Sequence, residues 1–133
     1  MKRVLPSAAD LILWSVAVAM LVLVAFESLT PARSRVFDIS DKLYHLISYL
    51  VLTFLFLLAA VWSPLRGRGS FPNAAWFVVS GAVAFGLLIE IIQGFTPPRQ
   101  PNLLDAIANT GGACTALGVW SLLRLSATVP DPP

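Results

Sequence analysis

Four runs of about 20 apolar residues, separated by short segments rich in proline and glycine, occupy most of this 133-residue chain. A helix of about 20 residues is what it takes to cross the roughly 30 Å hydrocarbon core of a bilayer. The runs lie at about Ala8–Ser28, Leu43–Trp62, Ala74–Phe95 and Leu103–Leu125. Polar and apolar residues do not alternate within them, which excludes the strands of a β-barrel. Breakers punctuate the chain between the runs: Thr30-Pro31, then Ser63-Pro64 with Gly67, Gly69 and Pro72, then Thr96-Pro97-Pro98 and Pro101. Hydrophobic residues make up 57% of the chain and charged residues 12%, against about 45–50% and about 25% in soluble domains. A soluble fold of this length has too little interior to hide that much apolar surface. The expected architecture is therefore an all-α, polytopic membrane bundle of four transmembrane helices. It forms one domain over residues 1–125, with a short proline-rich, disordered tail at 126–133.

Lys2 and Arg3 give the first run a basic start. The run is long and no A-x-A site follows it, so it reads as a retained helix rather than a cleaved signal. The net charge of +2 is modest, and no basic stripe or glycine-rich phosphate loop is present. Nucleic acid is thereby excluded as a partner, and membrane lipids are the expected surroundings. Arg66 and Arg68 in a short acid-free loop are the best orientation signal, placing both termini in the cytoplasm. Cys114 is the only cysteine. It permits no intramolecular disulfide and reads as a packed core thiol. Trp14, Trp62, Trp76 and Trp120 fall toward the cytoplasmic half, as an aromatic belt would.

With four spans, parity gathers the end of the first, the start of the second, the end of the third and the start of the fourth on one side. The unusual polar residues of the chain lie at those four places. Asp41 and His45 are four apart and share a helical face, with Lys42 beside them and Ser48 and Tyr49 a turn deeper. Ser40 or Asp41 is placed to cap that helix. Glu90 and Gln93 share a face near the end of the third span, where a carboxylate needs a cation, a strong donor or a proton. The partners expected for Glu90 are Arg99, His45 or Lys42. The proline-bound loop TPPRQPN would hold Arg99 over the helix ends, and a guanidinium there suits phosphate or carboxylate. Asn102 is a candidate cap for the fourth helix, whose first turns carry Asp105 and Asn109, four apart on one face. Ala108, Gly112 and Ala116 form a small-residue surface that lets another backbone approach closely, within the chain or in an oligomer. Each residue also has a plainer reading: a cap for Asp41, a dipole-stabilised carboxylate for Asp105, a helix-tying ion pair for Glu90, interfacial solvation for Glu27.

Asp41-Lys42-x-x-His45-x-x-x-Tyr49, Glu90-x-x-Gln93, Arg99 and Asp105-x-x-x-Asn109-x-x-Gly112, in that order, resemble the VanZ-like family of small membrane proteins. The resemblance covers the second to fourth spans. It implies a bundle of about four helices with the motif residues at the extracytoplasmic surface, and an association with resistance to the glycopeptide teicoplanin, which acts at the cell envelope. The family name carries no reaction with it.

Three functions stay open. The first is an enzyme modifying an envelope lipid or a lipid-linked, phosphate-bearing cell-wall precursor. Glu90, His45 and Asp105 would then be catalytic, and Arg99, Lys42, Asp41, Gln93, Asn109 and Tyr49 would bind substrate. The second is a non-catalytic binder of a headgroup, drug or precursor using the same groups. The third is a structural accessory subunit. One histidine with dispersed carboxylates lacks the ligand spacing of a zinc signature, so neither a metal nor a cofactor is expected. The absence of a Gly-x-Ser-x-Gly elbow argues against a serine hydrolase.

Overall fold

The computed structural model describes residues 7–30, 41–62, 71–97 and 100–126. These form four helices: α1 (Ala8–Leu29), α2 (Asp41–Trp62), α3 (Phe71–Gln93) and α4 (Leu103–Ser126). Each is long and apolar enough to cross a membrane. The expected runs are thus recovered, with small shifts at their ends. α3 starts at Phe71, three residues early, because a proline in the first turn forfeits only an amide that has no intrahelical acceptor. It stops at Gln93, not Phe95. Gly94 and Phe95 continue as a tighter turn, with the Phe95 amide on the Ile92 carbonyl (3.0 Å) and the Thr96 amide on the Gln93 carbonyl (3.1 Å). The tail expected to be disordered begins at Ser126, still in α4, and its remaining residues lie outside the described ones, as do Ser40, Pro31 and the Arg66–Arg68 loop.

The surface is that of a membrane protein. Phe77 (83% exposed) and Phe95 (82%) project outward with many leucines and isoleucines. In water such contiguous apolar exposure would drive association; in lipid it is solvated.

α2 and α4 are the most intimately packed pair. Among the described residues α1 touches α2 and α3 but not α4. The α2–α4 approach is made possible by Gly112, where a Cβ would stand 2.2 Å from the Leu46 carbonyl oxygen and 2.9 Å from the Leu50 nitrogen. Ala108, Ala113 and Ala116 are buried on the same helix. The small-residue surface of α4 is therefore filled by α2 of the same chain. Small residues allow this because helix association in lipid rests on van der Waals contact between closely approaching backbones.

Two sequence expectations need correction. Cys114 is exposed, not a core thiol, because it is one helical step (about 100°) past the fully buried Ala113 and so faces outward. Trp120 turns inward, unlike a belt side chain, and Trp14 is only partly exposed. Trp120 is 6% exposed and packs edge-on against Phe54 at 5.7 Å, while Trp14 packs edge-on against Phe56 at 6.0 Å. Trp76, 63% exposed, keeps the outward position expected of a belt, and the Trp62 side chain lies outside what is described.

Between α1, α2 and α3 runs an apolar cavity of about 370 Å³, with Trp14, Leu52, Thr53, Phe56, Phe77 and Phe85 among its walls.

Candidate functional site

The buried polar residues are distributed very unevenly. Asp10 lies at one end of the bundle and Thr53 midway; Ser28, His45, Glu90, Gln93, Asp105 and Asn109 gather at the other end. Parity anticipated that gathering, and direct contacts across helices establish it.

The outermost layer joins α2 to α4. Lys42 Nζ pairs with Asp105 Oδ1 and stands 3.7 Å from Asp41 Oδ2. One ammonium thus lies against two carboxylates from different helices. The Asp41 and Lys42 side chains are 43% and 35% exposed, so this layer opens outward, while the Asp105 side chain is only 9% exposed. Asp105 sits in the first turn of α4, where the helix macrodipole also favours its charge.

One turn deeper, His45 is 4% exposed. Its Nδ1 lies 3.0 Å from Asn109 Oδ1. The amide oxygen can only accept, so Nδ1 donates the proton between them, which in the neutral tautomer places the lone pair on Nε2. Nε2 stands 3.8 Å from Asp105 Oδ2, beyond hydrogen-bonding range. The Gly112 contact sets this geometry, since Leu46 follows His45 and Gly112 is one turn from Asn109 on the face of α4 that meets α2.

α3 supplies the third wall. A Cβ at Gly86 would meet Tyr49 Cε1 at 3.1 Å and Asn109 Nδ2 at 3.3 Å, so the absence of a side chain there lets α2, α3 and α4 converge. Glu90, one turn on from Gly86, is 7% exposed. Its Oε2 accepts the Asn102 backbone N–H at 2.8 Å. That donor corrects one expectation: Lys42 and His45 are engaged with Asp105 and Asn109, and a free amide at the α4 N-terminus serves Glu90 instead. Helix N-termini offer such unused N–H groups. Asn102 also caps α4 as expected, its Oδ1 accepting the Leu104 N–H at 3.0 Å. Arg99, the remaining proposed partner, lies outside the described residues.

Not every polar atom here is closed. Glu90 Oε1, Asn109 Nδ2 and the Tyr49 hydroxyl are buried without a hydrogen-bond partner among the described residues. The Gly86 contacts bring Tyr49 and Asn109 to one point, with Glu90 one turn on from Gly86. An unsatisfied buried polar group costs about 1–3 kcal/mol, so these atoms call for a water or a ligand. Below them the apolar cavity begins: Thr53 is one turn deeper than Tyr49, Phe85 packs on the Tyr49 ring at 6.2 Å, and both line the cavity.

Gln93 stands apart from this convergence. It is 2% exposed, and its Nε2 donates to the Ser28 carbonyl at 2.8 Å. It thereby satisfies one of the last carbonyls of α1 and ties α3 to it. Glu27 is exposed. Sequence reasoning missed Ser28, Gly86 and the Asn102 amide. Only Gly86 left a trace, as a glycine four residues before Glu90 on the same face.

A protein-family model described as VanZ/LLP1 matches residues 41–124, more than half of the chain. The match takes in α2, α3 and most of α4, and with them every residue gathered at the polar end but Ser28, while α1 lies outside it. No curated protein and no solved structure matches the chain.

Proposed function

The chain belongs to the VanZ/LLP1 family, and on that premise we propose that this multi-pass membrane protein binds a phosphate-bearing envelope lipid or lipid-linked precursor and modifies it. The observation that carries the reading is the set of buried, unpartnered atoms, Glu90 Oε1, Asn109 Nδ2 and the Tyr49 hydroxyl. Tyr49 packs on Phe85, which lines the apolar cavity. Trp14, Thr53 and Trp120 also carry a buried open atom, but only Glu90, Asn109 and Tyr49 belong to the polar cluster, where a half-satisfied network is less stable than an apolar core. The headgroup would take those atoms, and the hydrocarbon would occupy the cavity walled by Thr53, Phe56 and Phe85.

In this reading Glu90 exchanges the proton. The Asn102 amide fixes one carboxylate oxygen and leaves the other directed inward, an arrangement suited to general acid–base work. Lys42 and Arg99 hold phosphate. His45, Asp105 and Asn109 orient the ligand and pass charge between the layers, with Asp41 at the mouth. A hydrolytic or group-transfer reaction fits this set. The polar end faces away from the cytoplasm, which agrees with Arg66 and Arg68 in the acid-free loop at the opposite end and with the envelope role that the family resemblance implies.

Lipid profiling of cells carrying wild type, Glu90→Gln or no protein tests the proposal. A lipid species should be converted only by wild type. An unchanged profile with well-expressed Glu90→Gln overturns the catalytic reading. A lipid that copurifies with wild type unconverted replaces the enzyme with a binder.

A further inference from the structure

We propose that Asp41, His45 and Asp105 form a binding site for a divalent transition-metal cation, with Lys42 as its built-in competitor. Each of the three residues offers one ligand atom, and these atoms all lie within 4.8 Å of one another. In the sequence they are split between two helices, 64 positions from first to last, so no compact motif announces them. The α2–α4 contact at Gly112 assembles them.

The histidine provides the specific argument. A metal-binding imidazole typically donates its other ring N–H to a carbonyl or carboxylate, which fixes the tautomer and aims the lone pair. His45 does this: Nδ1 is held by Asn109 Oδ1 at 3.0 Å, and Nε2 faces Asp105 Oδ2 at 3.8 Å with no hydrogen bond between them. Two ligands on a tetrahedral zinc with bonds of about 2.0–2.1 Å stand about 3.4 Å apart. Closing the Nε2–Oδ2 gap onto one ion therefore needs only small side-chain adjustments. His45 is 4% exposed and Asp105 7%, so the two inner ligands are held by packing, while half-exposed Asp41 completes the set from the mouth.

The charges agree. Two carboxylates and an imidazole make a position for a cation, and the Lys42 ammonium already lies against both carboxylates. It sits on a flexible four-carbon stem at the outer edge, so it can withdraw when an ion enters. One nitrogen and two carboxylate oxygens suit zinc or manganese, and of these two zinc binds such a set more tightly. Three protein ligands leave one position open for a water or a phosphate oxygen. The site does not depend on whether the protein turns over a lipid.

The test is zinc titration of chelator-treated full-length protein in detergent, followed by calorimetry, with cobalt absorption reporting coordination geometry. Wild type should bind zinc. His45→Ala and Asp105→Asn should lose that binding, and Asn109→Ala should weaken it about 10–100-fold through the freed imidazole. Lys42→Met should tighten it about tenfold or more, because a like charge is removed from beside the ion. A poorly folded variant cannot produce that last result. No zinc binding by either wild type or Lys42→Met overturns the proposal, as does equal binding by wild type and His45→Ala. Lipid conversion that persists in chelator leaves the proposed function standing, and the titration alone then judges the metal site.

Discussion

The two ends of this bundle each bury a carboxylate near a helix N-terminus, and they satisfy it in opposite ways. At the start of α1, Asp10 is 6% exposed and is answered within its own turn. Its Oδ2 accepts the Ser7 amide at 2.8 Å and the Ser7 hydroxyl at 2.6 Å, and its amide donates back to Ser7 Oγ at 3.2 Å. This is a capping box, closed between residues three apart. At the other end Glu90 is answered by a backbone amide from α4, Asp105 by Lys42 from α2, and Asn109 by His45. The partners come from different helices, and atoms are left over. A local cap needs no tertiary structure and leaves nothing to bind. A cross-helix network must be assembled by packing, and where its atoms remain open it can receive a ligand.

If that contrast separates function from structure, substitutions at the two ends should part company. Glu90→Gln should cause the largest effect, a loss of lipid conversion of about 10²–10⁴-fold, the usual contribution of a general acid or base. The amide still accepts the Asn102 N–H, so thermal unfolding in detergent should barely change. Marked destabilisation would reduce Glu90 to a structural tie. Gly112→Ala should lose about 3 kcal/mol or more, the upper range for overpacking, because the new Cβ falls on the α2 backbone. His45 and Asn109 would be pushed apart with it, so conversion should fall too. Equilibrium unfolding and lipid profiling on the same variant check both effects.

Smaller effects sharpen the contrast from within each end. Gln93→Leu should lower stability by about 1–3 kcal/mol through the orphaned Ser28 carbonyl. Conversion should survive, because Gln93 serves the α1–α3 tie; a selective loss of conversion at unchanged stability would return Gln93 to the ligand site. Ser7→Ala should cost about 1 kcal/mol, as expected for an N-cap. It should leave lipid conversion and zinc affinity as they are, and a change in either would break the separation between the two ends.

Much of the fold was legible before any coordinates. Membrane spans declare themselves by length and apolarity, because an unpaired backbone group in hydrocarbon is so costly that few alternatives exist. The clustering of Asp41, His45, Glu90, Asp105 and Asn109 was legible for a related reason: an even number of crossings leaves no choice about which ends share a side. Asn102 as a cap could be read from its own neighbourhood. The facing direction of Cys114 and Trp120 could not, since one helical step separates a buried position from an exposed one and every nearby residue is apolar. In a soluble helix a polar stripe would mark the outside; in lipid both faces are greasy.

The pairings inside the cluster were likewise beyond the sequence. Charge alone made Lys42, His45 and Arg99 equally good partners for Glu90, and spacing along the chain hid the union of Asp41, His45 and Asp105. By itself the sequence determined that there are four spans, that the polar residues share one end of them, and that Asn102 caps α4. These follow from hydropathy, parity and contacts within one turn. Only the tertiary structure decided who meets whom, because that depends on how closely two backbones approach. Here the approach is set where side chains are missing, at Gly112 against Leu46 and at Gly86 against Tyr49 and Asn109.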